Sequence, residues 1–362
     1  MNAKSLIARC LIVIGISLLF LNGYNDRKSM PKHIVALELD YLVDSQTQST
    51  GQQALLKDIV PADEKNEKTD EELAQIFALF FEDFSYKITD STITDEKATV
   101  DVNLTTIDAT ALAKDFISQS IVKQIQGNAA PSGVTYSSND YYHSLYLLLS
   151  SNEYKAIESN CTISLTKIDG KWQINPEQNL EDILTGGFVS AVSNPNLFTP
   201  EEIAIIYLDT IKAFDKEQMN QFLSLDSLFA ADDDYKRTIS QALANQILRH
   251  YNYSIINSNI SNNEAQVSAS ITSYDANSII NNFSTQMASY TSTAQALEDG
   301  VSGRVSKANS VLLDCINSNT STTINEVTLH LTNDGISWTL QMDETLPQAI
   351  LGNVREATRN VN

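Results

Sequence analysis

Chemistry in a chain needs acids, bases, nucleophiles or metal ligands at workable spacings, and this chain offers few. Its four histidines, His33, His143, His250 and His330, stand far apart, and its three cysteines form no Cys-x-x-Cys. The run Asp232-Asp233-Asp234 fails as a calcium loop. An EF-hand loop opening at Asp232 would need glycine and glutamate where Arg237 and Leu243 stand. No phosphate-cradling glycine loop, nucleophile elbow or Ser/His/Asp pattern occurs, so neither metal nor cofactor is expected. What recurs is a tyrosine and an aspartate: Tyr86 and Asp108, then Tyr253 and Asp275. These four are the candidate ligand-binding residues, and no catalytic residue can be assigned. An aspartate at a strand-to-helix junction has a simpler use as an N-cap, accepting an unpaired backbone N–H.

The elements that position these residues are written twice. Tyr86–Phe116 and Tyr253–Phe283 superimpose at a constant spacing of 167 residues with no gap and ten identities in 31 places. That is the mark of an internal repeat. Within the first copy, Ala98, Val100, Val102 and Leu104 alternate with polar residues at strand period, and a turn near Asp95-Glu96 makes a hairpin with one buried face. Ala265, Val267, Ala269 and Ile271 repeat this. Upstream, Thr69-Asp70-Glu71-Glu72 reads as a capping box opening a helix that carries Leu73, Ile76, Phe77, Phe80 and Phe84 on one face. Thr199-Pro200-Glu201-Glu202 opens the second copy in the same way, and Tyr41 pairs with Tyr207 at a spacing of 166.

Downstream, a helix through Leu112, Phe116, Ile121 and Ile125 is broken from Gly127. In the second copy, Ala276–Asn317 keeps helical spacing except at Gly300 and Gly303, which leaves one long helix or two. Asp169-Gly170 and Asp334-Gly335 mark final hairpins of slightly different turn length, beside Trp172 and Trp338, which read as core. Leu180–Leu184 and Leu346–Leu351 close the copies, ended by glycine. The expected organisation is a leader over 1–28, a first repeat over 29–189, a linker over 190–198 and a second repeat over 199–362.

A net charge of -21 argues against nucleic acid and anionic lipid surfaces, both of which need clustered Lys and Arg. Three cysteines are too few for a disulfide framework. A Cys161–Cys315 bridge is conceivable, but buried free thiols fit their unrelated places in the repeats better. Lys4 and Arg9 precede the apolar run Leu11–Leu21, and a polar tail follows, as in export signals. Leu21-Asn22-Gly23-Tyr24 resembles a bacterial lipobox with Tyr24 in place of the lipidated cysteine, so no thioether to lipid can form there. The segment is then either retained as an anchor, the favoured reading, or cleaved by another peptidase. The membrane is a partner only through this segment.

Two α+β copies, each with Thr-x-x-Glu before a helix and Asp-Gly shortly before Trp in its last hairpin, resemble tandem NTF2-like (cystatin-like) domains. Such tandems occur in surface lipoproteins of low-GC Gram-positive bacteria. The resemblance spans about residues 30–362. It implies helices packed on a curved antiparallel sheet and a cell-surface or secreted location. Export, duplication and the missing catalytic constellation point to a non-catalytic binding or scaffold module for a surface partner or small ligand. The alternative is a small-ligand receptor or NTF2-like enzyme using a cone-shaped cavity, and a further possibility is self-association through strand edges.

Overall fold

The structure, a computed structural model, describes residues 30–44, 67–130, 134, 136–175, 180–228, 233–354 and 357. The leader, the lipobox-like Tyr24 and Asp232 lie outside the described residues. Among those described, the chain is α+β, with thirteen α-helices and two four-stranded antiparallel sheets. It divides into two compact units, Met1–Ser120 with Tyr136–Leu197, and Ile121–Thr135 with Phe198–Asn362.

The first unit opens with α1 (Pro31–Asp44) and α2 (Glu67–Phe80), followed by the hairpin β1 (Ser85–Thr94) and β2 (Lys97–Ile107). Helices α3 (Ala109–Asn128) and α4 (Ser138–Ser151) lead to β3 (Ala156–Ile168) and β4 (Lys171–Ile174), then α5 (Leu180–Leu184) and α6 (Phe188–Ser193). The sheet is a meander in the order β1-β2-β3-β4. Ala98, Val100, Val102 and Leu104 are all buried, as period-2 alternation requires when one face meets helices. Each such valine or leucine side chain contributes about 1.5–3 kcal/mol when fully withdrawn from water. Leu73, Ile76, Phe77, Phe80 and Phe84 join the same core. Helix α6 buries Phe188 and Val192, so the chain is still helical where a linker was expected to start.

In the second unit, α7 (Pro200–Lys212), α8 (Lys216–Leu223) and a 3-10 turn (Leu225–Leu228) precede α9 (Asp233–His250). The hairpin β5 (Asn252–Ser261) and β6 (Glu264–Tyr274) follows, then α10 (Ala276–Thr291), α11 (Ala294–Glu298) and α12 (Gly300–Ser318). The chain ends its described elements with β7 (Thr322–Asn333), β8 (Trp338–Gln341) and α13 (Thr345–Ile350), the sheet running β5-β6-β7-β8. The later turns of α3 belong to this unit, with Ile125 and Ala129 in its core. The open choice over Ala276–Asn317 resolves as three helices, and Gly300, at φ 60, begins the last of them.

Residues 167 apart take like positions down to fine detail. Asp95 and Asn262 both adopt φ 54 in their two-residue turns, a conformation that short polar side chains tolerate. Both hairpins carry a register shift at the same place, between Ile88 and Asp90 and between Ile255 and Asn257. The final hairpins differ in loop length, as their turn sequences suggest. Ile168 pairs with Lys171, leaving only Asp169 and Gly170 between them, both at positive φ, whereas Asn333 pairs with Trp338 and leaves four residues between. In the second, the Asp334 carboxylate accepts from the Ile336 and Ser337 amides.

Three expectations need correction. Helix α2 begins at Glu67, so Thr69 lies inside it rather than capping it. Glu72 instead meets His143 Nδ1 at 2.5 Å, across from α4. Helix α3 runs through Gly127 to Asn128, because one glycine in a packed helix costs only about 1 kcal/mol. The pairing of Tyr41 with Tyr207 is off by three residues. Both helices start on proline, Pro31 and Pro200; the first buries Val35, Leu39 and Leu42 in its core and the second Ala204, Leu208 and Ile211 in its own, a spacing of 169. Cys161 and Cys315 are free thiols, as expected, one half-buried and one buried.

Candidate functional site

Asp108 and Asp275 stand where a strand ends and a helix starts, and both carboxylates are engaged there. Asp108 Oδ1 accepts from the Ala111 amide at 3.0 Å, and Asp275 Oδ1 accepts from the Asn277 amide at 3.0 Å. Their own amides donate to the carbonyls of Lys155 at 2.7 Å and Ser321 at 2.9 Å, just before β3 and β7. Each aspartate thus caps a helix and ties its start to the next strand. This geometry satisfies orphan N–H groups at helix ends, the use local sequence favours.

The tyrosines find different partners. Tyr86 donates to Asp40 Oδ1 at 2.6 Å, and Tyr253 donates to Asp209 Oδ1 at 2.7 Å. Burial first, then the neighbouring carboxylate, pushes the Tyr86 phenol up to about 12. The same two causes raise Tyr253. A phenol held in that way keeps its proton at neutral pH, so it fastens the first helix to the edge strand rather than exchanging protons. The four candidates are therefore not assembled into Tyr–Asp dyads. Sequence reading missed Asp40 and Asp209, and the Pro31/Pro200 start, giving a spacing of 169, was the signal that would have found them.

The interior of the first unit is filled by its own rings. Phe77 and Phe81 lie 4.8 Å apart, Phe80 and Phe188 5.6 Å, and Phe81 and Phe84 5.6 Å, in tilted or edge-to-face contact. Trp338 is buried in the second core and Trp172 half-buried against the first, with Lys167 Nζ 5.7 Å from the centre of the Trp172 ring. Among the described residues, no group of three or more His, Cys, Asp or Glu is placed to hold a metal ion.

Two features were not foreseen. Glu38, on α1, keeps Oε2 buried without a hydrogen-bond partner, and burial pushes its carboxyl up to about 7. A buried carboxyl titrating near neutrality is a common property of general acids, and also of acids stranded by packing. Nothing in the spacing of α1 marks it, since charge on a helix face looks alike whether or not a sheet covers it. The second unit carries an open groove of about 490 Å³ between the start of β7 and α13, lined by Asn325, Glu326, Thr345, Gln348 and Asn353 among others. Its amides bond each other, Asn353 Nδ2 donating to Asn325 Oδ1. Glu38 belongs to the first unit and the groove to the second, so they form no common site.

No helix of the described residues is long and apolar enough to cross a membrane. No protein-family model matches the chain, and no curated protein matches it. Among solved structures, the chain is similar to the crystal structure of "a putative lipoprotein (ycdA)" from Bacillus subtilis, at 14% identity. The match covers 74% of this chain and 94% of that one, with a TM-score of 0.27, a likeness too slight to carry a fold or a role across.

Proposed function

We propose that this chain is an exported, surface-associated binding or scaffold protein built from two NTF2-like units, working through its surfaces rather than through a buried catalytic centre. The observation that supports this reading is the fate of the recurring aspartates. Both are spent on helix caps, where their carboxylates already hold backbone N–H groups. Export rests on the charged and apolar leader of the sequence.

A cap and a reactive carboxylate respond differently to substitution. As a cap, Asp275→Ala costs about 1 kcal/mol while Asp275→Asn costs close to nothing, because asparagine caps equally well. Trp338, the tryptophan of the second unit's core, reports that unit's unfolding by fluorescence. A gain in stability on removing the carboxylate, as at strained active sites, would overturn the reading. Export has its own test: protease added to intact cells should digest the full chain, and protection until lysis would refute it. The small-ligand reading draws its support from Glu38 alone. It would need Glu38→Gln to abolish binding of a small molecule that co-purifies with the chain.

A further inference from the structure

Edge strands present unpaired backbone groups, and proteins guard them with charge, with brevity or with a bulge. Among the described residues the two sheets have four edges. β4 and β8 are guarded by length, being four residues each. β1 and β5 are ten residues each and carry the same bulge, so the bulge does not distinguish them. Charge does. β1 exposes Lys87 and Asp90, and at the matching positions β5 exposes Ser254 and Asn257. β5 reads NYSIINSNIS, without one Lys, Arg, Asp, Glu or Pro. The repeat supplies its own control: the same strand, in the same place, with its charges kept in one copy and absent in the other.

We infer that β5 is an open edge at which a second copy of this chain adds its own β5, antiparallel and across a two-fold axis, joining two four-stranded sheets into one. Beyond the bulge, Asn257–Ser261 is exposed at every residue, so no covering element has to move. Antiparallel pairing centred on Asn259 sets Asn257 against Ser261 and Ser258 against Ile260, with no charge opposite a like charge. That matters in a chain of net charge -21, which repels itself wherever acidic surfaces meet. A neutral, self-complementary seam is the form an isologous interface takes, and main-chain bonds give strand addition its affinity.

The test compares the mass of the full chain in mild detergent, by sedimentation equilibrium over a wide concentration range. Wild type is expected to reach twice the 40.0 kDa of one chain. Ser254→Lys with Asn257→Asp, which rebuilds the guards of β1 on β5, is expected to stay at one chain. Because β1 already holds these residues at these positions, the substituted strand keeps its register, and Trp338 fluorescence checks the fold. If the double variant unfolds, Asn257→Asp alone, which puts a charge inside the paired segment, is expected to weaken dimerisation at least tenfold. Lys87→Ser with Asp90→Asn opens the second edge and is expected to give assemblies larger than a dimer. A single-chain mass for wild type at the highest concentration overturns the inference. So does a guarded variant that remains a dimer, or an unguarded β1 that adds nothing.

Discussion

Glu38 offers the sharpest test of how burial acts on this chain. Its carboxyl, ordinarily titrating at 4.5, is raised to about 7 by burial with Oε2 unpartnered. Below the ordinary value both folded and unfolded chains hold the proton, so the site contributes no difference. As pH rises, the unfolded chain ionises first, and the folded state loses ground until its own carboxyl ionises near 7, after which the loss is constant. At full strength that shift corresponds to ~3 kcal/mol, and screening of the partly exposed side chain trims it to about 1–2 kcal/mol. Glu38→Gln removes the ionisation, so it should stabilise the first unit by about 1–2 kcal/mol at about pH 8 and leave it nearly unchanged at about pH 4. The chain has two tryptophans, Trp172 in the first core and Trp338 in the second. In a Trp338→Phe background, urea unfolding followed by fluorescence therefore reports the first unit alone. Equal effects of Glu38→Gln at both pH values, or a loss at the higher one, would refute the reasoning.

Gly335 and Gly352 separate backbone conformation from close approach. Both have positive φ, 84 and 61, but a Cβ at Gly335 meets nothing within 4 Å, whereas at Gly352 it meets the backbone of Tyr274. Gly335→Ala should cost about 1 kcal/mol and Gly352→Ala at least ~3 kcal/mol by urea unfolding followed at Trp338, and equal losses would contradict the contact. Burial and the nearby Asp101 push the Cys161 thiol up to about 11. Its alkylation should be slow at neutral pH and accelerate as pH approaches that value, as peptide mapping by mass spectrometry would show. Cys315, being buried, should react only after unfolding, so rapid native labelling would contradict its place in the core. Protease digestion of intact cells and the Asp275 series address export and capping as described above.

What could be read before any coordinates was local. Alternation in β2 and β6, helical spacing from Leu73 to Phe84, the Thr199 capping box and the Asp169-Gly170 turn each depend on residues within a few positions of one another. The Thr199 box is formed as read, with Glu202 N donating to Thr199 Oγ1 at 3.2 Å and Thr199 N to Glu202 Oε2 at 2.8 Å. The same kind of signal misled at Thr69, which stands inside a helix that starts at Glu67. A cap is worth about 1 kcal/mol and one buried leucine or phenylalanine more, so tertiary packing decides where helix ends fall.

The amino-acid order alone determined the α+β class, the spacing of 167 and the two capping aspartates, because periodicity, turn chemistry and caps act along the chain. Only the tertiary structure decided which carboxylates meet Tyr86 and Tyr253, that Glu38 is stranded with an unpartnered oxygen, and that the end of α3 joins the second core. Those outcomes depend on which surfaces come together across long stretches of sequence, and desolvation there is set by every neighbour at once.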